Sequence, residues 1–341
     1  TLATDGMSFE VINMCIEGLE TTNENADIVP ALAESYDVSD DELTYTFHLR
    51  DAKWSNGDPV TAADFEYAWK DAATDPTCDY AYIFGSDGAC IKGADEAMGD
   101  PEKKDEIAVK ALDDKTLEVT LSRKTPYFVS LTTFPPFYPV KEAFAGEQGD
   151  QYGLSPENLL YCGPFQLEEW TKGNSLKLSK NQDYWGADDV ALEEINISIV
   201  PEPSSAALAY ENGTTDYARL NSSLVDKYRD NEAYKSVLGS FLWYMQYNFE
   251  NEDLQNENLR KALTYAVDKE NLTQNVLKDG SIPAEGFVTV KLSNGPDGKD
   301  YRETAEGYFA ETGEDAEKLA QEYWEKAKKE LQERLVLIDT G

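Results

Sequence analysis

The sequence predicts a mixed α/β fold divided into more than one domain, and three observations carry that expectation. Residues 43–72, LTYTFHLRDAKWSNGDPVTAADFEYAWKDA, hold a strand pattern, a turn cluster and a helix pattern in direct succession. Further period-two runs recur at residues 107–121, 165–179 and 195–199, each next to turn residues. A chain of 341 residues is long enough to bury a sizeable core and usually splits into two or more domains.

In chain order, residues 4–8 read as a loop. Residues 9–19 follow as a helix, with Phe9, Ile12, Met14, Ile16 and Leu19 largely on one side. Tyr45, Phe47 and Leu49 alternate with Thr44, Thr46, His48 and Arg50, the pattern of a half-buried strand. Asn56, Gly57, Asp58 and Pro59 make a turn. Thr61 then suits an N-cap with Asp64 three residues on, and Phe65, Trp69 and Ala72 recur at helical spacing.

Residues 91–105 are polar and acidic and read as a surface loop. Residues 107–112 and 116–121 form a hairpin about Asp113, Asp114 and Lys115, and the prolines of 125–140 stop regular structure. Gly163 and Pro164 turn into a strand from Phe165 to Trp170, which Lys172, Gly173 and Asn174 return as a second, 175–179. Ile195, Ile197 and Ile199 alternate as a third. Ser204 can cap a short helix that Gly213 closes. Residues 241–249, FLWYMQYNF, read as a strand and precede a helical run to Asp268. Asp268 itself caps the helix 269–277, ended near Gly280. Residues 294–300 form a turn loop whose Pro296 and Lys299 break the ligand order of an EF-hand. Residues 314–331 form an amphipathic helix, with Leu319, Tyr323, Ala327 and Leu331 on one face. Residues 334–339 begin a buried strand, from which the sequence is expected to be a fragment.

Composition narrows the function classes. There are 66 acidic and 30 basic residues, a net charge of −36, which repels phosphate backbones and anionic lipid and disfavours nucleic acid as a partner. The 20 tyrosines fit either core and sheet surface or an aromatic cleft for peptides or sugars. Cys15, Cys78, Cys90 and Cys162 contain no CxxC pair, so a structural zinc site is not expected. Whether Cys78 and Cys90 pair stays open. The one histidine, His48, has no second histidine and no nucleophile in a recognisable motif; GxSxG, HExxH, GxGxxG and P-loop patterns do not occur. No catalytic residue, metal or cofactor is therefore expected.

Two blocks carry a family resemblance. In the first, Phe47, Leu49, Arg50, Lys53, Trp54, Ser55, Gly57, Pro59, Val60, Thr61, Ala62, Asp64, Phe65 and Trp69 fit, in order and without a gap, the "FxLR…AKWSDGxPVTAxDFxxSW" segment. That segment is typical of the oligopeptide- and dipeptide-binding proteins of bacterial ABC importers, solute-binding family 5. In the second, YCGPFQLEEWTKGNSLKLSKNQDYWG at 161–186 is similar to that family's "GTGPYKLxxWxxGxxxxLxxNxxYWG", with Cys162 where Thr or Asn is usual. Weaker matches run along nearly the whole chain: Glu17-Gly18-Leu19; residues 30–36, with Tyr36 for the usual Trp; residues 107–121; a "GeiDi" strand at Thr215-Asp216-Tyr217; and 259–269, with Lys269 for Arg.

The resemblance implies a periplasmic-binding-protein-like fold, two lobes on a hinge with an extra small domain, incomplete at both ends. It places lobe one at 1–17 and 141–240, the small α+β domain at 18–140, and the start of a truncated lobe two at 241–341. It implies an extracytoplasmic, non-enzymatic, monomeric binding protein, periplasmic or anchored as a cell-surface lipoprotein of a Gram-positive bacterium. Its partners would be an oligopeptide ligand and the importer's membrane permease. The ligand-facing positions it implies are Gly6, Met7, Tyr80, Tyr82, Tyr244 and Gln246. Other readings are an oligosaccharide or metal chelate on the same fold, a hydrolase on a similar lobe, and an adhesin or signalling receptor.

Overall fold

A computed structural model describes residues 3–98, 100–239, 241–295, 298–305, 307–308 and 311–331. The chain groups into two units, Thr1–Ile199 and Val200–Gly341.

The first unit opens with helix α1 (Gly6–Cys15). It begins three residues earlier than the sequence pattern suggests, because the Asp5 carboxylate accepts from the Ser8 backbone and hydroxyl at 2.9 and 2.7 Å and so caps the helix ahead of Gly6. It also ends earlier. Ile16 is extended, and the backbone N–H groups of Cys162 and Gly163 donate to the Cys15 carbonyl at 3.2 and 2.9 Å. A Cβ on Gly163 would lie 2.7 Å from the Cys15 carbonyl carbon, so only glycine lets the two backbones meet there.

Strands β1 (Glu20–Thr22) and β2 (Ile28–Pro30) pair antiparallel. Beyond them lie β3 (Ala33–Val38), β4 (Thr44–Leu49), β5 (Val109–Asp113) and β6 (Thr116–Thr120), an antiparallel sheet in the order β3-β4-β6-β5. Alternation in β4 is as the sequence predicts. Tyr45, Phe47 and Leu49 are buried, and Tyr45 and Phe47 face Val119 and Leu117 across the ladder. Helix α2 (Ala62–Thr74) covers this face with Phe65, Ala68, Trp69 and Ala72. Trp69 packs edge-on against Phe137 at 5.0 Å, and its indole N–H donates to the Phe137 carbonyl at 2.7 Å. The start of α2 is fixed by Asp64, whose carboxylate accepts from the Thr61 N–H at 2.9 Å and the Trp54 indole at 3.0 Å.

The 91–105 stretch is not a surface loop. It contains a helix, Ala94–Met98, and a 3-10 turn, Pro101–Glu106. Ala94 and Ala97 are buried at i,i+3 spacing, and Ile91 bridges to Leu121. The small residues tuck inward while the acids face out, so the polar composition masks an element that caps the sheet edge.

A second sheet holds β7 (Phe165–Thr171), β8 (Ser175–Lys180) and β9 (Glu194–Ser198) in that order, all antiparallel. Its core, Phe165, Leu167 and Leu178, packs with Cys15 and Tyr161. All four cysteines are free and buried, so Cys78 and Cys90 are not bridged.

In the second unit a helix spans Pro203–Glu211. Ser204 lies inside it; Pro203, whose fixed φ suits the first helical position, sets the start two residues earlier, with Glu202 in the cap position. Gly213 follows its end at φ +71°. Neither Thr215-Asp216-Tyr217 nor the described residues of 241–249 join a strand ladder. The side chain of Asn256 caps helix Glu257–Tyr265, and Asp268 caps the turns that run to Leu277, where Lys278 adopts the left-handed conformation. Helix Gly313–Glu330 packs on Glu257–Tyr265, with Tyr265 and Tyr323 stacked at 5.9 Å. The strand expected at 334–339 lies outside the described residues.

Candidate functional site

An aromatic group forms on the first unit where three distant segments meet. Phe9, on the first turns of α1, lies 5.7 Å from the ring of Tyr80 and 5.1 Å from that of Phe134. Tyr80 and Phe134 meet edge-on at 5.2 Å, and Tyr82 stacks on Tyr80 at 6.3 Å. Each member is held by its own element. Tyr80 caps the 3-10 turn Ala81–Phe84, which is anchored by the buried Ile83 and Phe84. Phe134 precedes the 3-10 turn Pro135–Phe137, whose prolines fix the local backbone. The result is a shelf with apolar support beneath and ring area above, where Tyr82 stays 50% exposed; Met7, two residues before Phe9 on the same helix, is exposed as well.

Of the positions expected to face ligand, Tyr80 and Tyr82 are in this group. Gly6 and Met7 are exposed on the first turn of the helix that carries Phe9. A Cβ on Gly6 would meet nothing within 4 Å, so packing does not demand glycine there. Tyr244 and Gln246 belong to the second unit, are exposed, and lie outside any helix or strand; the Tyr244 ring meets Phe287 at 5.9 Å. Phe9 and Phe134 are the members that sequence reasoning missed. Their spacing signals only core packing, and nothing local brings residues 9, 80 and 134 together.

A second cluster, built on the buried carboxylates of Glu17 and Glu20, lies between α1 and β1. The Glu17 carboxylate accepts from the Tyr184 hydroxyl at 2.7 Å and from the Trp185 indole. Arg50 stacks its guanidinium over Trp185 at 3.5 Å. Burial pushes the Glu17 carboxyl above the ordinary range, against the pull of these two donors and of Arg50. Burial likewise pushes Glu20 up to about 7, with Arg50 opposing it. One Glu20 carboxylate oxygen and the Arg50 Nε are buried without a hydrogen-bond partner. Beside this cluster is a recess of about 390 Å³ lined by Asn13, Glu17, Thr21, Thr133, Tyr138 and Tyr184, among others. Gly18 is obligatory here, since a Cβ would sit 2.6 Å from the Thr132 carbonyl and 2.7 Å from the Tyr138 ring. The cluster binds the Glu17-Gly18-Leu19 segment to the Tyr184-Trp185-Gly186 segment, so these residue types serve architecture.

His48 pairs with Asp37 at 2.8 Å on the sheet surface. Burial pushes the Cys15 thiol up to about 12 and raises Cys78 and Cys162 as well. Among the described residues no group of three or more His, Cys, Asp or Glu side chains could hold a metal ion, and no helix is long and apolar enough to cross a membrane.

Comparison with known proteins follows the same lines. Residues 27–339 match the family described as bacterial extracellular solute-binding proteins, family 5 Middle. The dipeptide-binding protein DppE of Bacillus subtilis is 36% identical over 300 residues, covering 88% of this chain and 54% of that protein. The oligopeptide-binding protein OppA of the same organism is 35% identical over 337 residues, covering 97% of this chain and 59% of that protein. This chain therefore spans a little over half the length of these two relatives. Among solved structures, Listeria monocytogenes OppA bound to peptide superposes with a TM-score of 0.80 at 35% identity, over 97% of this chain and 65% of that one. The mixed α/β, periplasmic-binding-protein-like fold expected from the sequence is the fold of these structures.

Proposed function

The chain belongs to family 5 of the bacterial extracellular solute-binding proteins, and from that membership we propose that it captures oligopeptides outside the cytoplasmic membrane and delivers them to an ABC importer. The observation that carries this reading is the aromatic shelf of Phe9, Tyr80, Tyr82 and Phe134, in which half-exposed Tyr82 rests on partly buried rings that pack against the core. It supports a binder because it offers contact area with few side-chain torsions to freeze and no reactive group. That relatives are named for dipeptide and oligopeptide binding supports peptide as the solute.

In this reading Gly6, Met7, Tyr80 and Tyr82 contact the peptide from lobe one and the small domain, and Tyr244 and Gln246 from lobe two. The lobes are divided as 1–17 with 141–240, 18–140, and 241–341. Peptide backbone groups are met by strand-like hydrogen bonds, with side chains in roomy, partly wet pockets. The protein acts as a monomer, without catalysis, and docks on the importer's permease. It works in the periplasm or as a lipoprotein at a Gram-positive cell surface.

The test is Tyr80→Ala in the natural full-length protein, with peptide affinity read by calorimetry. Loss of about 1–3 kcal/mol is expected for a truncated aromatic anchor, and unchanged affinity removes Tyr80 from the binding surface. An oligosaccharide reading draws on the exposed ring of Tyr82. Native mass spectrometry of the ligand retained through mild purification separates sugar from peptide.

A further inference from the structure

Resting on the peptide-binding reading, we propose that the aromatic shelf selects cationic peptides, those carrying Lys or Arg side chains, over acidic ones. The shelf is built from three segments, residues 3–10, 75–87 and 127–138. Together they hold five acids, Asp5, Glu10, Asp75, Asp79 and Asp87, and no lysine or arginine. Residues 1–49 as a whole contain 11 acids and no lysine or arginine.

Of the bases that flank these segments, Lys70, Lys124 and Lys141 pair with carboxylates, whereas Arg123, bonded to neutral atoms, keeps its charge next to the 75–87 segment and Lys92 is exposed, so acids outnumber free bases there without being alone. Arg123 donates to Cys90 Sγ at 3.0 Å and to the Ser86 carbonyl at 2.9 Å. Lys124 pairs with Glu42 at 3.3 Å, and Lys141 with Asp64 at 3.7 Å. Among the described residues no lysine or arginine forms an ion pair with Asp5, Asp75, Asp79 or Asp87. Asp5 and Asp75 spend their oxygens on Ser8 and Thr77, which leaves their negative charge in place.

The ring geometry adds to the charge. Tyr80 and Tyr82 are stacked with 29° between their planes, and Tyr82 stays half exposed. The face of a tyrosine ring is the negative pole of its quadrupole and attracts ammonium and guanidinium groups. A Lys or Arg side chain laid on this shelf finds apolar area for its stem, a ring face for its charge and segments in which acids outnumber bases. An acidic side chain meets the negative ring faces and the surplus of acids instead. The net charge of −36 extends that bias to the approach of the ligand.

The experiment offers a randomised pool of short peptides to the natural full-length protein, at about 20 mM and about 0.5 M salt, and sequences the retained fraction by mass spectrometry. Lys and Arg are expected to be enriched about tenfold over Asp and Glu at low salt, with the ratio shrinking at high salt. The double variant D79N/D87N is expected to lower the ratio severalfold. The variant E314Q/D315N, on the helix Gly313–Glu330, should leave it unchanged. Peptides retained without regard to charge, or with acids enriched, overturn the proposal and leave peptide binding standing. Retention of no peptide at all overturns both.

Discussion

Residues 43–72 and residues 241–249 look alike as sequence, both rich in aromatics spaced for burial, yet the structure treats them oppositely. In the first, strand, turn and helix fold back on one another, and Phe47, Trp54, Phe65 and Trp69 are fully buried within thirty residues of chain. In the second, Phe241 is 85% and Trp243 91% exposed, and the segment joins no ladder among the described residues. The difference is one of locality. A helix makes all its backbone hydrogen bonds internally and here carries its own sheet partner nearby. A strand is only half a structure until a second strand meets it, and its side chains stay uncovered until then.

Substitutions can break or sharpen this contrast. The largest effect is expected at Trp69→Ala, which removes a buried ring and its hydrogen bond to Phe137. Chemical denaturation should show a loss of about 3–5 kcal/mol, and a loss below about 1 would mean the signature core is not where stability resides. Next comes Glu20→Gln. The Glu20 carboxyl is held up at about 7 from 4.5, so its protonated form favours the folded state. That contribution is fully present below pH 4.5 and is lost as pH rises through 7. The variant should match the parent at pH 4 and exceed it at pH 8 by up to about 3 kcal/mol. A variant weaker than the parent at pH 8 would show that attraction to Arg50 outweighs burial.

Glu17→Ala removes the acceptor of the partly buried Tyr184 hydroxyl and of the partly exposed Trp185 indole, and should cost about 1–2 kcal/mol in the same assay. Asp64→Asn keeps the shape but weakens the acceptor for Thr61 and Trp54; about 1 kcal/mol is expected. Trp243→Ala should fall within about 0.5 kcal/mol, because an exposed ring has little to lose. A large loss there would mean that residues 241–249 are covered in solution, erasing the contrast.

What the sequence reveals follows the same divide. The strand β4, the helix α2, the hairpin of β5 and β6 and the pair β7 and β8 are local, and period and turn residues find them to within one or two residues. The limits of α1 are not local: the helix stops at Cys15 because Gly163, nearly 150 residues later, presses its backbone there. The buried helix Ala94–Met98 hides behind acids that all face outward. At the candidate site, Tyr80 and Tyr82 come from the family pattern, whereas Phe9 and Phe134 join them only through tertiary folding. The motifs ending Glu17-Gly18-Leu19 and Tyr184-Trp185-Gly186 are each visible in the chain. That one supplies the acceptor for the other is not.

The four buried cysteines have a practical corollary. With Cys15, Cys78 and Cys162 pushed up by burial, almost none of these thiols is ionised at neutral pH, and none of the four offers its sulfur freely to solvent. A maleimide dye should therefore pass over the native protein. A single cysteine placed at an open position such as Gly6 would take the label alone and report ligand arrival by fluorescence, with no native thiol to remove first.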